Sequence, residues 1–296
     1  MKQSKWLWRA LLAVLILGAL ITGGILLRRS IQLHRTQAKT EQARELIEQP
    51  ETPEPEEPEE ALPPQEETLP KASETMHAPE EAPEEEPAEE PEPPEETPEP
   101  EPLVLLEKYD ALAHTYYNFA GWLTIGDKID TIVMRGADNE FYLDHDFTGE
   151  EAWGGAIFMD CYNWLEPLSR NTILYGHHLA DNFDNQMFGR LMEYKKESYA
   201  REYPTFYFSS PYQEYECTIF ASYNIYPDDW RLYSVEFTDD EDFLAYCNDA
   251  IALSKIDYGV TVQPDDKIIT LSTCDYVYED SRFIIHAVVR PLNESN

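Results

Sequence analysis

The sequence predicts a mainly β domain over residues 103–296, interrupted by one long helix and preceded by a membrane-spanning helix and a disordered linker. Three observations predict it: an uncharged run of 18 residues at 10–27, a stretch dense in Glu and Pro at 48–102, and a succession of short apolar runs with strand spacing beyond residue 103.

Charge narrows the function first. The 296 residues carry 22 Lys plus Arg against 58 Asp plus Glu, a net charge of -36. A surface of that sign repels phosphate, which excludes a nucleic-acid partner. The charge is unevenly placed: residues 1–47 sum to +6, residues 48–102 to -21 and residues 103–296 to -21. The chain therefore divides into a short basic tip with membrane anchor at 1–29, a stalk and linker at 30–102, and a globular domain at 103–296.

The apolar run follows Lys2, Lys5 and Arg9 and stops at Arg28 and Arg29. Eighteen residues of helix span a bilayer. A cleaved signal peptide is the rival, but no small-x-small site follows before the basic cluster, so an uncleaved signal anchor is expected. Arg28, Arg29, Arg35, Lys39 and Arg44 lie beyond the run, so the positive-inside count leaves orientation open.

Residues 32–49 have helical composition and read as a short stalk. Residues 48–102 then hold 22 Glu, 16 Pro and one Lys. Such a segment buries no core; proline favours extended backbone and the glutamates repel one another, so it is expected to be a disordered spacer reaching about 170 Å at ~3.1 Å per residue.

Beyond it, Leu105, Leu106, Tyr109, Leu112, Ala113 and Tyr116 recur at three- and four-residue spacing, predicting an amphipathic helix over 103–119 on the outside of the domain. Strands are predicted at 129–134, 155–159, 171–175, 214–221, 267–273 and 283–289. A Thr238 or Asp239 cap opens a helix to about residue 254 with Phe243, Leu244, Cys247, Ala250 and Ile251 on one face. At 194 residues this is one domain with a sizeable core.

Of the four cysteines, no pair has the two-residue spacing of a zinc or redox site, so no metal site is expected; no ligand cluster stands out among the acidic residues either, so no cofactor is expected. Cys217 falls in an apolar strand and Cys247 on an apolar helix face, where a thiol acts as a small buried hydrophobe. Cys274 instead closes the strand Leu271-Ser272-Thr273-Cys274 before a polar turn, and Arg282 opens the next strand across that hairpin. A cation there lowers a thiol pKa or holds an oxyanion. His177 and His178 close the strand Asn171-Thr172-Ile173-Leu174-Tyr175-Gly176; the other five histidines lie in settings with no comparable exposure to chemistry. Nucleophile, proton donor and cation are what thiol-based acyl transfer needs, though spacing alone does not bring them together.

Several motifs in one order carry a resemblance: Gly121-Trp122-Leu123-Thr124-Ile125, Asp138-Asn139-Glu140-Phe141-Tyr142-Leu143, His145-Asp146-Phe147, Tyr175-Gly176-His177-His178, and Leu271-Ser272-Thr273-Cys274 with Arg282. Over about residues 105–291 the chain resembles the class B sortases, membrane-anchored cysteine transpeptidases of Gram-positive bacteria. The resemblance implies a closed eight-stranded β-barrel with peripheral helices, the helix at 239–254 being the class B insertion before the seventh strand. It implies Cys274 as nucleophile, His177 as catalytic histidine, Arg282 as catalytic arginine, and Ser272 and Asn163 as residues of the substrate groove. The Glu/Pro linker departs from the usual class B pattern.

The same resemblance implies the partners and the place of work. Secreted proteins with a C-terminal sorting signal are cleaved after Thr through a thioacyl-enzyme and passed to a peptidoglycan or pilin amine. The domain acts outside a membrane crossed once. The alternatives are a cysteine endopeptidase releasing by hydrolysis, and a non-catalytic surface-binding domain.

Overall fold

The computed structural model describes residues 2–48, 103–178, 187–226, 228–274 and 281–292, with backbone alone for residues 2–10, Leu232 and Cys274. The predicted linker and the loop following His178 lie outside the described residues.

A single helix, α1 (Lys2–Glu48), runs through the predicted anchor and stalk without a break. It contains an apolar stretch long enough to cross a membrane. After the linker comes a 3-10 turn at Glu107–Tyr109 and a short α2 (Asp110–Thr115). The helix expected over 103–119 is thus shorter than its periodicity suggests. Leu106 is extended at the near end, and at the far end Phe119 begins a strand, its ring packed near that of Tyr109 at 5.4 Å between centroids.

Eight strands follow: β1 (Phe119–Ile125), β2 (Ile129–Met134), β3 (Ile157–Met159), β4 (Asn171–Gly176), β5 (Thr205–Ser209), β6 (Glu214–Ile225), β7 (Lys267–Cys274) and β8 (Arg282–Pro291). They close a barrel in the order β1-β2-β3-β4-β7-β8-β6-β5, which bears out the expected architecture. Strands β1 and β5 are both absent from the sequence prediction: Phe119, the first residue of β1, reads as the end of the 103–119 helix, and Thr205-Phe206-Tyr207-Phe208-Ser209 is short. The β6 strand runs four residues further than predicted, past Ala221 to Ile225, because its far half pairs with the start of β8.

Alternation along each strand sorts two cores. Leu123, Phe206, Phe208, Ile269, Leu271, Ile285 and Ala287 fill the barrel interior. The residues between them on β6, β7 and β8, including Phe220, Ile268, Ile284 and Val288, face outward and are covered by α4 (Asp240–Leu253) through Phe243, Tyr246, Cys247 and Ala250. Each large apolar side chain so buried contributes roughly 1.5–3 kcal/mol relative to exposure. The Asp239 carboxylate caps α4 by accepting from the Asp242 amide at 2.9 Å, and Asp240, Glu241 and Asp242 complement the positive helix start.

Under α4, the fully buried His286 bonds the Thr270 hydroxyl through Nδ1 at 2.8 Å and the Tyr223 hydroxyl through Nε2 at 2.9 Å. Burial pushes its pKa down to about 3, so it is a neutral core histidine.

Two pairings set up the functional end of the barrel. Parallel strands finish side by side, and β4 and β7 are parallel neighbours. The antiparallel β8 starts at the same rim where β7 ends. Residues at the ends of β4 and β7 and at the start of β8 are thereby brought to one edge, although nearly a hundred residues separate the first two strands in sequence.

Candidate active site

The register at that edge is specific. Tyr175 stands opposite Ser272 and Gly176 opposite Thr273, so the residues that follow, His177 and Cys274, come next at the same level. On the other side of β7, Cys274 is itself the register partner of Arg282. The three residues singled out from the sequence thus occupy neighbouring strand ends. The side chain of Cys274 lies outside what the structure describes.

A cavity of about 220 Å3 opens beside them, lined by His177, Arg282, Ser272, Thr273, Tyr175 and Leu143 among others. Ser272 is nearly buried in its wall. The His177 imidazole is fixed by a hydrogen bond from Nε2 to the Leu143 carbonyl at 2.6 Å. A carbonyl only accepts, so Nε2 carries a proton and Nδ1 is the atom left for exchange.

That carbonyl is held in turn. Ala156 donates its amide to the Tyr142 carbonyl at 2.9 Å and Ala152 donates to Asp144 at 2.8 Å, pinning the 141–144 turn from both sides. Gly155 sits between at φ 59°, and a Cβ there would collide with the Tyr142 carbonyl and come within 2.7 Å of the Leu143 oxygen. Only glycine combines that backbone with that closeness. Gly176, just before His177, is constrained by space: a Cβ would lie 2.9 Å from the Phe188 ring.

Behind Tyr175 and Asn139, which line the cavity, lies a polar network that the sequence did not suggest. Tyr175 donates its hydroxyl to Asp160 Oδ2 at 2.9 Å, and Asn139 Nδ2 donates to the same oxygen at 2.8 Å. Asp160 Oδ1 accepts from the Tyr162 amide at 2.9 Å, and Asn139 Oδ1 accepts from the Cys161 amide at 2.8 Å. Burial first, and then the Asp160 charge, push the Tyr175 pKa up, so its phenol stays protonated and acts as a donor. One sequence signal was available: an acid closing the apolar strand Ile157-Phe158-Met159-Asp160.

Asn163 is positioned differently. It is fully buried, donating Nδ2 to the Asn171 carbonyl at 2.7 Å while its Oδ1 accepts from the Ile173 amide at 2.7 Å. Its amide completes the backbone bonding of β4, and Asn163 is not among the residues lining the His177 cavity.

The three cysteines whose side chains are described are free thiols. Burial raises the pKa of Cys217, raises that of Cys247 to about 12, and with the Asp160 charge raises that of Cys161. None of these is a thiolate at neutral pH.

A model of the sortase domain matches residues 128–290. Sortase B of Listeria monocytogenes is 38% identical over 171 residues, covering 57% of this chain and 68% of that protein. Sortase B of Staphylococcus aureus is 32% identical over 189 residues, covering 64% and 76%. Among solved structures, a Staphylococcus aureus sortase B–substrate complex superposes with a TM-score of 0.59 at 30% identity, covering 64% of this chain and 87% of that one. With the barrel order and the rim described above, these likenesses identify the family: the chain belongs to the class B sortases and is a cysteine transpeptidase.

Proposed function

We propose that Cys274, His177 and Arg282 carry out the transpeptidation, cleaving a C-terminal sorting peptide after threonine and transferring the acyl group to an amine of the cell wall or of a pilin subunit. The reading rests on one observation above the others: the register of β4, β7 and β8 sets Cys274 opposite Arg282 and one step beyond the Gly176–Thr273 pair that precedes His177.

In this mechanism the Cys274 thiolate attacks the threonine carbonyl carbon and the carbonyl electrons move to oxygen. Arg282 donates to that oxyanion, a role its planar, permanently charged guanidinium suits. Collapse expels the amine of the following residue, which takes a proton from His177, and leaves a thioester on Cys274. The incoming amine then attacks the thioester, His177 takes back a proton, and the thiolate departs. Ser272, in the cavity wall, contacts the peptide. Asn163 is left out of this set because its amide is already spent on backbone groups.

The apolar stretch of α1 is long enough to cross a bilayer, which supports reading residues 1–29 as a single-pass anchor; membership of the sortase family supports placing the barrel on the outer side, where secreted proteins and wall amines are met.

The test is product partition. The full chain in detergent is given a sorting-peptide library with and without a wall-derived amine, and products are read by mass spectrometry. Ligated product that requires both the amine and Cys274 is expected; cleavage that added amine never diverts would favour an endopeptidase.

A further inference from the structure

The part of α1 beyond the apolar run lies against the barrel. Leu33 is 4% exposed and Ala43 fully buried, and Leu46 and Ile47 join the cluster built on Tyr109, Leu112 and Trp122. Arg29, Leu33, Thr40, Arg44 and Ile47 follow helical spacing, so one face of the helix is committed to this contact.

Three cations along that length reach barrel groups. The Arg29 guanidinium lies 4.4 Å from the centre of the Trp153 ring. Lys39 Nζ donates to Asp146 Oδ2 at 2.6 Å, to Glu150 Oε2 at 2.8 Å and to the Thr148 hydroxyl at 2.9 Å. Arg44 Nη2 pairs with Asp130 Oδ2 at 2.9 Å and donates to the Asp130 carbonyl at 3.2 Å. Burial works against the Asp146 charge, yet the bonds from Lys39 and Thr148 outweigh it and hold the carboxyl below its usual range.

The chain also returns where it left. Glu48, the last residue of α1, lines a cavity of about 310 Å3 together with Lys108 and Tyr109, so both flanks of residues 49–102 are fixed at one place on the barrel.

We infer that residues 29–48 of α1 are a strut docked on the barrel that holds the enzyme at the bilayer surface, so that the acidic stretch does not set its reach. The inference builds on the reading of residues 10–27 as a membrane anchor. Arg29 lies two residues past the apolar run, about 3 Å of helix rise, and Glu48 about 32 Å past it. The barrel therefore stands beside the membrane, in place of the ~170 Å that an extended spacer would allow.

The active site shares this placement. Leu143 lines the His177 cavity, whereas the next residue, Asp144, lines a second cavity with Arg28 and Arg29. Peptide and amine must then be presented within that layer.

Docking is tested without reference to a membrane by zero-length carbodiimide coupling of the full chain and peptide mapping. An amide between Lys39 and Asp146 or Glu150 is expected, and its absence would overturn the docking. Flotation with anionic lipid vesicles tests the anchor separately: a chain that stays in solution while the cross-link forms would remove the membrane placement and leave the docking standing. Height is then read by neutron reflectometry on a supported bilayer. Protein density ending within about 50 Å of the headgroups is expected, both for the native chain and for one lacking residues 52–100. Joint reversal of Lys39→Glu and Arg44→Glu should spread the density outward. Native density centred far beyond that layer, or a height that follows the deletion, would overturn the inference.

Discussion

Cys274 and Arg282 are register partners in the antiparallel β7–β8 pair. The pairing puts the backbones of the two residues on the same rung, so the spacing of their Cα atoms is set by strand pairing and not by a flexible loop. An arginine there differs from a lysine, because a planar fork supplies several donors in fixed directions. Arg282→Lys should therefore keep the fold and the charge yet lower turnover by roughly 10²–10³-fold, the cost of losing an oxyanion donor. Steady-state kinetics beside a circular dichroism spectrum check this; near-native turnover would remove Arg282 from that role.

His177 is anchored by the Leu143 carbonyl, whereas His178 follows it past the rim. His177→Ala should cost about 10²–10⁴-fold in turnover, the usual worth of a positioned proton donor, with His178→Ala much milder. The reverse order in the same assay would exchange the two assignments.

The turn that holds Leu143 depends on Gly155 having no side chain. Gly155→Ala is expected to displace the Leu143 oxygen, costing about 1–3 kcal/mol of stability through overpacking and strained backbone, and to reduce turnover by more than stability alone explains. Urea unfolding and kinetics on the same variant separate the two effects.

Thiol reactivity should divide sharply. Cys217 and Cys247 are buried and the Cys161 thiol is pushed up, so iodoacetamide at neutral pH should label Cys274 first and abolish activity in step with that label. Peptide mapping gives the order; inactivation tracking another cysteine would contradict the assignment.

His286 gives the core its own pH dependence. Its pKa in the fold, about 3, lies below the ordinary 6.5, so between these values the unfolded chain binds a proton that the folded chain does not. Its contribution is whole above about pH 6.5 and falls by about 1.4 kcal/mol per unit as pH drops toward 3. His286→Gln should be less stable overall yet show a shallower decline between pH 7.5 and 5 in urea unfolding. An unchanged slope would mean that other groups carry the acid sensitivity.

Much of this was legible from the residues. The apolar alternation of 267–273 and 283–289 and the face of Phe243, Cys247 and Ala250 indicated strands and their covering helix, because burial imposes periods of two and 3.6 residues. Cys274 and His177 stood out because reactive groups closing apolar strands are presented at a rim. Their adjacency was not legible, since it depends on a parallel β4–β7 pairing between distant segments, and no local pattern encodes register. Nor was the polar network of Asp160, Asn139 and Tyr175, whose members lie in three separate segments. Asn163 shows the converse: the resemblance set it in the substrate groove, while its side-chain amide is bonded to Asn171 and Ile173. The stalk looked free because Lys39 and Arg44 resemble solvated helix charges until Asp146 and Asp130 are brought to them.

The central claim is that acyl transfer passes through Cys274. The most direct test is intact-protein mass spectrometry of the full chain in detergent, quenched with acid soon after addition of a cleavable sorting peptide, with Cys274→Ala alongside. The account predicts a mass increase equal to the peptide's acyl fragment, mapped to Cys274 and discharged by added amine as the ligated product forms. Ligated product from the Cys274→Ala chain, or an acyl adduct on a different residue, would contradict it.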